Sequence, residues 1–126
     1  MIRHTLIVLF SLALPVSIHR PGSISAAESP DSSVKPVTYD EHVRPILRQH
    51  CFSCHSQDEA SSGLALDSYA KVIEGGSSGE VVFESDLDSS RLWAVISHQE
   101  EPIMPPDQDK LPENQLAVIR QWIESG

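Results

Sequence analysis

Cysteine is scarce in this chain of 126 residues: there are two, Cys51 and Cys54, and both fall in one short stretch. No second Cys/His knuckle stands elsewhere, which argues against a tetrahedral zinc module. Alternating strand patterns are nearly absent as well. Val81-Val82-Phe83 is the one β-like run, and three residues make no sheet. The βαβ surroundings of the redox folds that use a Cys-x-x-Cys dithiol are therefore missing. Basic residues are few, 9 Lys and Arg against 18 Asp and Glu, for a formal net charge of −9. Such a balance argues against a nucleic-acid partner. Long apolar runs are lacking too: the run from Leu6 to Ile18 is short for a membrane span and is interrupted by Pro15.

What is present is concentrated in Cys51-Phe52-Ser53-Cys54-His55. Two cysteines separated by two residues and followed at once by histidine form the attachment signature of a c-type haem. In a helical turn, positions i, i+3 and i+4 share one face, so two thiols and one imidazole converge on a single object. The sulfurs can add to the vinyl groups along one porphyrin edge while His55 reaches the iron as proximal ligand. A redox dithiol, a local Cys51 to Cys54 disulfide, and a zinc site drawing on His42, His50, His55 or His98 are the competing readings of the same residues.

The N-terminus bears on the choice. Met1-Ile2-Arg3-His4, the apolar run and Ser25-Ala26-Ala27 stand in the order of a secretory signal peptide over residues 1–27, with a retained anchor as the alternative. Export permits covalent haem attachment, and the expected location is extracytoplasmic, periplasmic or secreted; an oxidising compartment also favours a disulfide. Residues 28–37 read as a polar linker rich in Ser, Pro and Asp. One domain, residues 38–126, remains. At about 90 residues such a domain often needs a staple, metal or cofactor to complete its core. Cleavage after Ala27 removes Arg3 and Arg20 and takes the formal charge from −9 to −11, a surface suited to a redox partner protein with a basic docking face.

Helix signals come in short blocks. Thr38 and Glu41 fit a capping box ahead of the stripe Val43, Ile46, Leu47, with a bend or late start expected at Pro45. A second helix is expected within Asp67 to Glu74, closed by Gly75-Gly76. A third, capped from Asp86 to Ser90, carries Leu92, Trp93, Val95 and Ile96 and ends near His98. The last begins near Pro112 and has Leu116, Ile119, Trp122 and Ile123 on one side, with Gly126 as its stop. The fold class is all-α: three to four short helices around one covalently bound haem, the first and last packed together. Trp122 is expected in helix contact rather than at the haem edge.

Apart from the initiator, Met104 is the chain's one methionine, and Pro105 and Pro106 stiffen the segment that presents it. It is the expected distal iron ligand, completing His/Met ligation. His98 is the substitute, with capping of helix carbonyls as its other reading.

Together, Cys51 to His55, Ser62-Gly63-Leu64-Ala65-Leu66-Asp67-Ser68, Gly75-Gly76-Ser77-Ser78-Gly79, Met104-Pro105-Pro106 and Gln121-Trp122-Ile123-Glu124-Ser125-Gly126 resemble the planctomycete-type cytochrome c domain. The resemblance covers about Tyr39 to Gly126. It implies a mono-haem cytochrome c fold of class I type, with Cys51 and Cys54 as thioether attachment points, His55 as proximal ligand and Met104 as distal ligand. One departure is local: Phe83-Glu84-Ser85-Asp86-Leu87 stands where such domains commonly carry a Pro-Gly turn. In that family the domain often begins much longer secreted proteins, so the chain is read as a free-standing small cytochrome or as the N-terminal part of a longer protein.

The function expected is single-electron transfer through Fe(II)/Fe(III) haem c, without catalysis by the domain itself. A catalytic or ligand-sensing haem with an open distal position, and a non-haem module closed by a disulfide, are the alternatives. Leu64, Leu66, Trp93 and Ile96 are the expected apolar walls of the haem pocket, and the acidic residues Asp107, Asp109 and Glu113 read as a solvated face rather than a cation site.

Overall fold

The computed structural model describes residues 35–126; the signal-peptide region and most of the linker lie outside the described residues. Within them the chain forms four short α-helices and no β-strand. A π-helical turn, Tyr39–Val43, runs directly into α1 (Arg44–His50). A 3₁₀ turn at Ser61–Gly63 follows, then α2 (Tyr69–Glu74), α3 (Arg91–Ile96) and α4 (Glu113–Ser125). The all-α expectation holds.

Pro45 explains the first element. It occupies the opening turn of α1, where a missing amide donor is harmless, and the helix changes from π to α spacing just before it. The capping box does not form. Thr38 is the N-cap by position, but its side chain caps no amide, and Glu41 pairs instead with Lys35 at 2.6 Å. The Thr38 amide donates to His42 Nδ1 at 3.1 Å, so a ring four residues on takes the role expected of Glu41.

The other boundaries follow local chemistry. α2 begins after Ser68, whose hydroxyl accepts from the Lys71 amide, and it closes on Gly75 at φ +79. A Cβ at Gly75 would collide with the Gly79 carbonyl, so glycine is required there for two reasons. Ser90 precedes α3 and is fully buried, but its hydroxyl works backwards. It donates to Asp86 O at 2.7 Å and takes the Phe83 amide at 2.9 Å, closing the loop that departs from the Pro-Gly pattern. Ser85 adopts a positive φ of 61 in that loop, and its amide donates to Ile123 O.

In α4, Leu116, Ile119, Trp122 and Ile123 are all buried, the stripe that i, i+3 and i+4 spacing predicts. They meet the π-turn, where Trp122 and Tyr39 have ring centroids 5.8 Å apart at a tilted angle. The first and last helical segments therefore pack together, and Trp122 is in helix contact as expected. Tyr39, Tyr69 and Trp122 form one aromatic cluster. Val43, Leu47, Leu66, Val72, Leu92 and Ile96 complete the core beside it.

Candidate functional site

Where α1 ends, the chain continues for one further turn. The amides of Cys54 and His55 both donate to the Cys51 carbonyl, at 3.1 and 2.9 Å, so the motif is wound as a single helical turn. That winding brings Cys51, Cys54 and His55 to one apolar cleft of about 360 Å³, a volume within the usual range for small-molecule and cofactor sites. Leu64 and Leu66 line it from the following segment. Leu92, Val95 and Ile96 line it from α3, and Met104 with Pro105 and Pro106 closes a further side. A second, more open recess of about 960 Å³ runs along the 101–112 segment and contains none of Cys51, Cys54, His55 or Met104.

His55 is held by its own ring. Nδ1 lies 3.2 Å from the Leu64 carbonyl, which can only accept, so the proton sits on Nδ1. That tautomer leaves Nε2 unprotonated and able to bind a metal, the arrangement in which a backbone carbonyl orients an imidazole ligand and raises its basicity. The backbone repeats the clamp, because the Leu66 amide donates to the His55 carbonyl at 2.7 Å.

The two cysteines are free thiols, Cys54 exposed and Cys51 partly buried. Burial, with the neighbouring Cys54 adding to it, pushes the Cys51 thiol up to about 11. A redox dithiol needs a lowered thiol pKa, so this environment opposes that reading. Zinc fares no better: among the described residues no group of three or more His, Cys, Asp or Glu could hold a metal ion. A predominantly apolar cleft bordered by two thiols, one unprotonated imidazole nitrogen and one thioether fits a haem instead.

Met104 enters the cleft through its backbone. Its amide donates to the Val95 carbonyl at 3.0 Å, fixing the proline segment against α3. His98, the substitute ligand expected from the sequence, does not line the cleft. Its φ of 61 turns the chain after α3, and the backbone amides of Ser97, His98 and Gln99 satisfy the helix carbonyls its side chain was expected to cap.

Trp93 is a second correction. The apolar residues of α3 that line the cleft are Leu92, Val95 and Ile96, at i, i+3 and i+4, with Arg91 beside them, and Trp93 lies one position round the helix from Leu92, packed on the core. The spacing of Leu92, Val95 and Ile96 was the available signal. The Leu64 carbonyl carried none, because every residue has one.

Residues 51–108 match a family model described as Planctomycete cytochrome C. Over that stretch the chain is similar to a planctomycete-type cytochrome c domain. The match begins at the first cysteine of the motif and runs past Met104, so it spans the residues that border the cleft except those of α1. No curated protein and no solved structure matches the chain. Similarity to a cytochrome c family supports haem c with its iron and a role in electron transfer. No helix of the described residues is long and apolar enough to cross a membrane.

Proposed function

We propose that this domain binds one haem c covalently through Cys51 and Cys54, with His55 and Met104 as the two axial ligands, and transfers single electrons outside the cytoplasm. The observation that carries this reading is the His55 Nδ1 to Leu64 O hydrogen bond inside an apolar cleft that Met104 also lines. When bound, the haem supplies a one-electron Fe(II)/Fe(III) couple. The chain's own residues supply the rest. His55 presents Nε2 with its tautomer fixed, Met104 presents a soft thioether that favours the reduced state, and Leu64, Leu66, Val95 and Ile96 exclude water.

With His55 and Met104 both holding the iron, ligand binding and oxygen chemistry would be suppressed, and the domain would act as a carrier and not as an enzyme. The partner is a redox protein with a basic docking face. Four basic side chains, Lys35, Lys71, Arg91 and Arg120, are already paired with carboxylates on the surface, while Arg44 donates to the Asp67 carbonyl. The surface potential is left negative, which steers a basic partner and repels nucleic acid. The leader over residues 1–27 supports a periplasmic or secreted location.

Expression alongside a haem-attachment system, followed by a denaturing gel stained for haem, tests the covalent step. A stained band of the chain's size is expected; a colourless band whose two cysteines form a disulfide overturns the reading. Redox titration of the stained protein should follow a single one-electron curve.

A further inference from the structure

The segment from Leu64 to Asp67 behaves as a strap across the proximal side of the cleft. His55 touches it twice, by Nδ1–H to the Leu64 carbonyl and by its own carbonyl to the Leu66 amide. Two ties from the π-turn and the start of α1 hold the strap from behind. Tyr39 Oη donates to the Leu66 carbonyl at 2.7 Å, and Arg44 Nε donates to the Asp67 carbonyl at 2.9 Å. The Arg44 bond is exposed, whereas the Tyr39 bond is buried and Tyr39 itself is 4% accessible. A buried bond has no water to replace it, so the phenol is the more consequential tie.

Packing alone does not account for a tyrosine at this position. A phenylalanine would make the same ring contacts with Trp122 and Tyr69, without placing a hydroxyl in the core. Burial pushes the Tyr39 phenol up to about 12, so it remains a donor throughout the neutral range.

We infer that Tyr39 is a positioning residue for His55: its phenol fixes the Leu66 carbonyl, and with it the strap whose Leu64 carbonyl orients the imidazole. The inference rests on the reading of His55 as the proximal ligand. Tyr39 does not line the cleft and acts only through the strap. Loosening the strap weakens the Nδ1–H bond, lowers the basicity of the ring, and so disfavours the ferric state.

Tyr39→Phe tests this against Tyr69→Phe, which removes a phenol from the same aromatic cluster but one bonded to the exposed Glu84 carboxylate. In Tyr39→Phe the Leu66 amide should exchange about tenfold faster than in the parent, the His55 Nδ1 proton should exchange faster, and the midpoint potential should rise. Tyr69→Phe should change none of these. Unchanged ring-proton exchange and potential in Tyr39→Phe, with haem still attached, would overturn the inference. So would faster exchange by one common factor at every amide with no shift in potential, since that reports global stability alone. If the parent takes up no haem, the functional reading fails separately. The His55 ring proton of the haem-free chain then decides the inference, supported by loss of protection in Tyr39→Phe and overturned by none.

Discussion

The two sides of the cleft are built differently. On the proximal side His55 is gripped by ring and backbone, its turn is closed on the Cys51 carbonyl, and the strap behind it is tied by Tyr39 and Arg44. On the distal side Met104 is fixed to α3 by one backbone bond, and the neighbouring Ile103 amide donates to the exposed Glu101 carboxylate. A preformed proximal side suits residues that must meet a cofactor in one geometry during attachment. On the proposed function, a lightly tied distal side would leave Met104 free to settle when haem is bound. Disruption of the first should therefore cost attachment, and disruption of the second should cost only ligation.

The largest effect expected is on the proximal side. Replacing Cys51 and Cys54 together by alanine should abolish the haem-stained band, while Met104→Ala should keep it at parental intensity. Loss of the stain in Met104→Ala would break the asymmetry.

Ser90→Ala probes the support of the distal wall, because Ser90 closes the loop that starts α3, and α3 holds Met104 through Val95 O. The variant leaves the Phe83 amide without its partner at a fully buried site and should cost about 1–3 kcal/mol in denaturant unfolding, with haem attachment intact. A change under about 0.5 kcal/mol would mean that water takes over the hydroxyl's bonds.

Alkaline pH addresses the proximal side. The Tyr39 phenol titrates near 10 when unfolded and is raised to about 12 by burial in the fold. The folded state thus holds this proton more tightly. The contribution to stability is full below about pH 10 and is lost as pH rises towards 12. The stability of the haem-loaded protein should fall across that window, and Tyr39→Phe should flatten the fall. In the haem-free chain the raised Cys51 thiol adds a loss of the same sign.

The smallest effect belongs to neither side. Lys71→Ala removes an exposed i, i+3 pair with Glu74 and should change stability by no more than about 0.5 kcal/mol, with the spectrum untouched. A shift in the spectrum would show coupling between the surface of α2 and the cleft.

Much of this site was legible in the sequence because its chemistry resides in rare side chains. Two cysteines, one adjoining histidine and one methionine outside the initiator leave little choice, and the buried stripe of α4 repeats at helical spacing. What escaped was carried by groups that every residue owns or by competition between near neighbours. The Leu64 and Leu66 carbonyls have no sequence signature, yet they orient His55 and accept from Tyr39. Trp93 and Leu92 are adjacent apolar residues, and only the rotation of α3 decides which faces the cleft. Thr38 and Glu41 had the spacing of a capping box, but the π-turn gave the amide to His42 instead.

The most direct test of a cleft that supplies both sides of one iron site is the optical spectrum of the attached haem in the parent and in Met104→Ala, with and without carbon monoxide. The parent should show low-spin iron with a methionine-to-iron charge-transfer band and resist carbon monoxide when reduced, and Met104→Ala should lose the band and bind it rapidly. A parent that binds carbon monoxide rapidly, or a Met104→Ala spectrum identical to the parent's, would contradict the account.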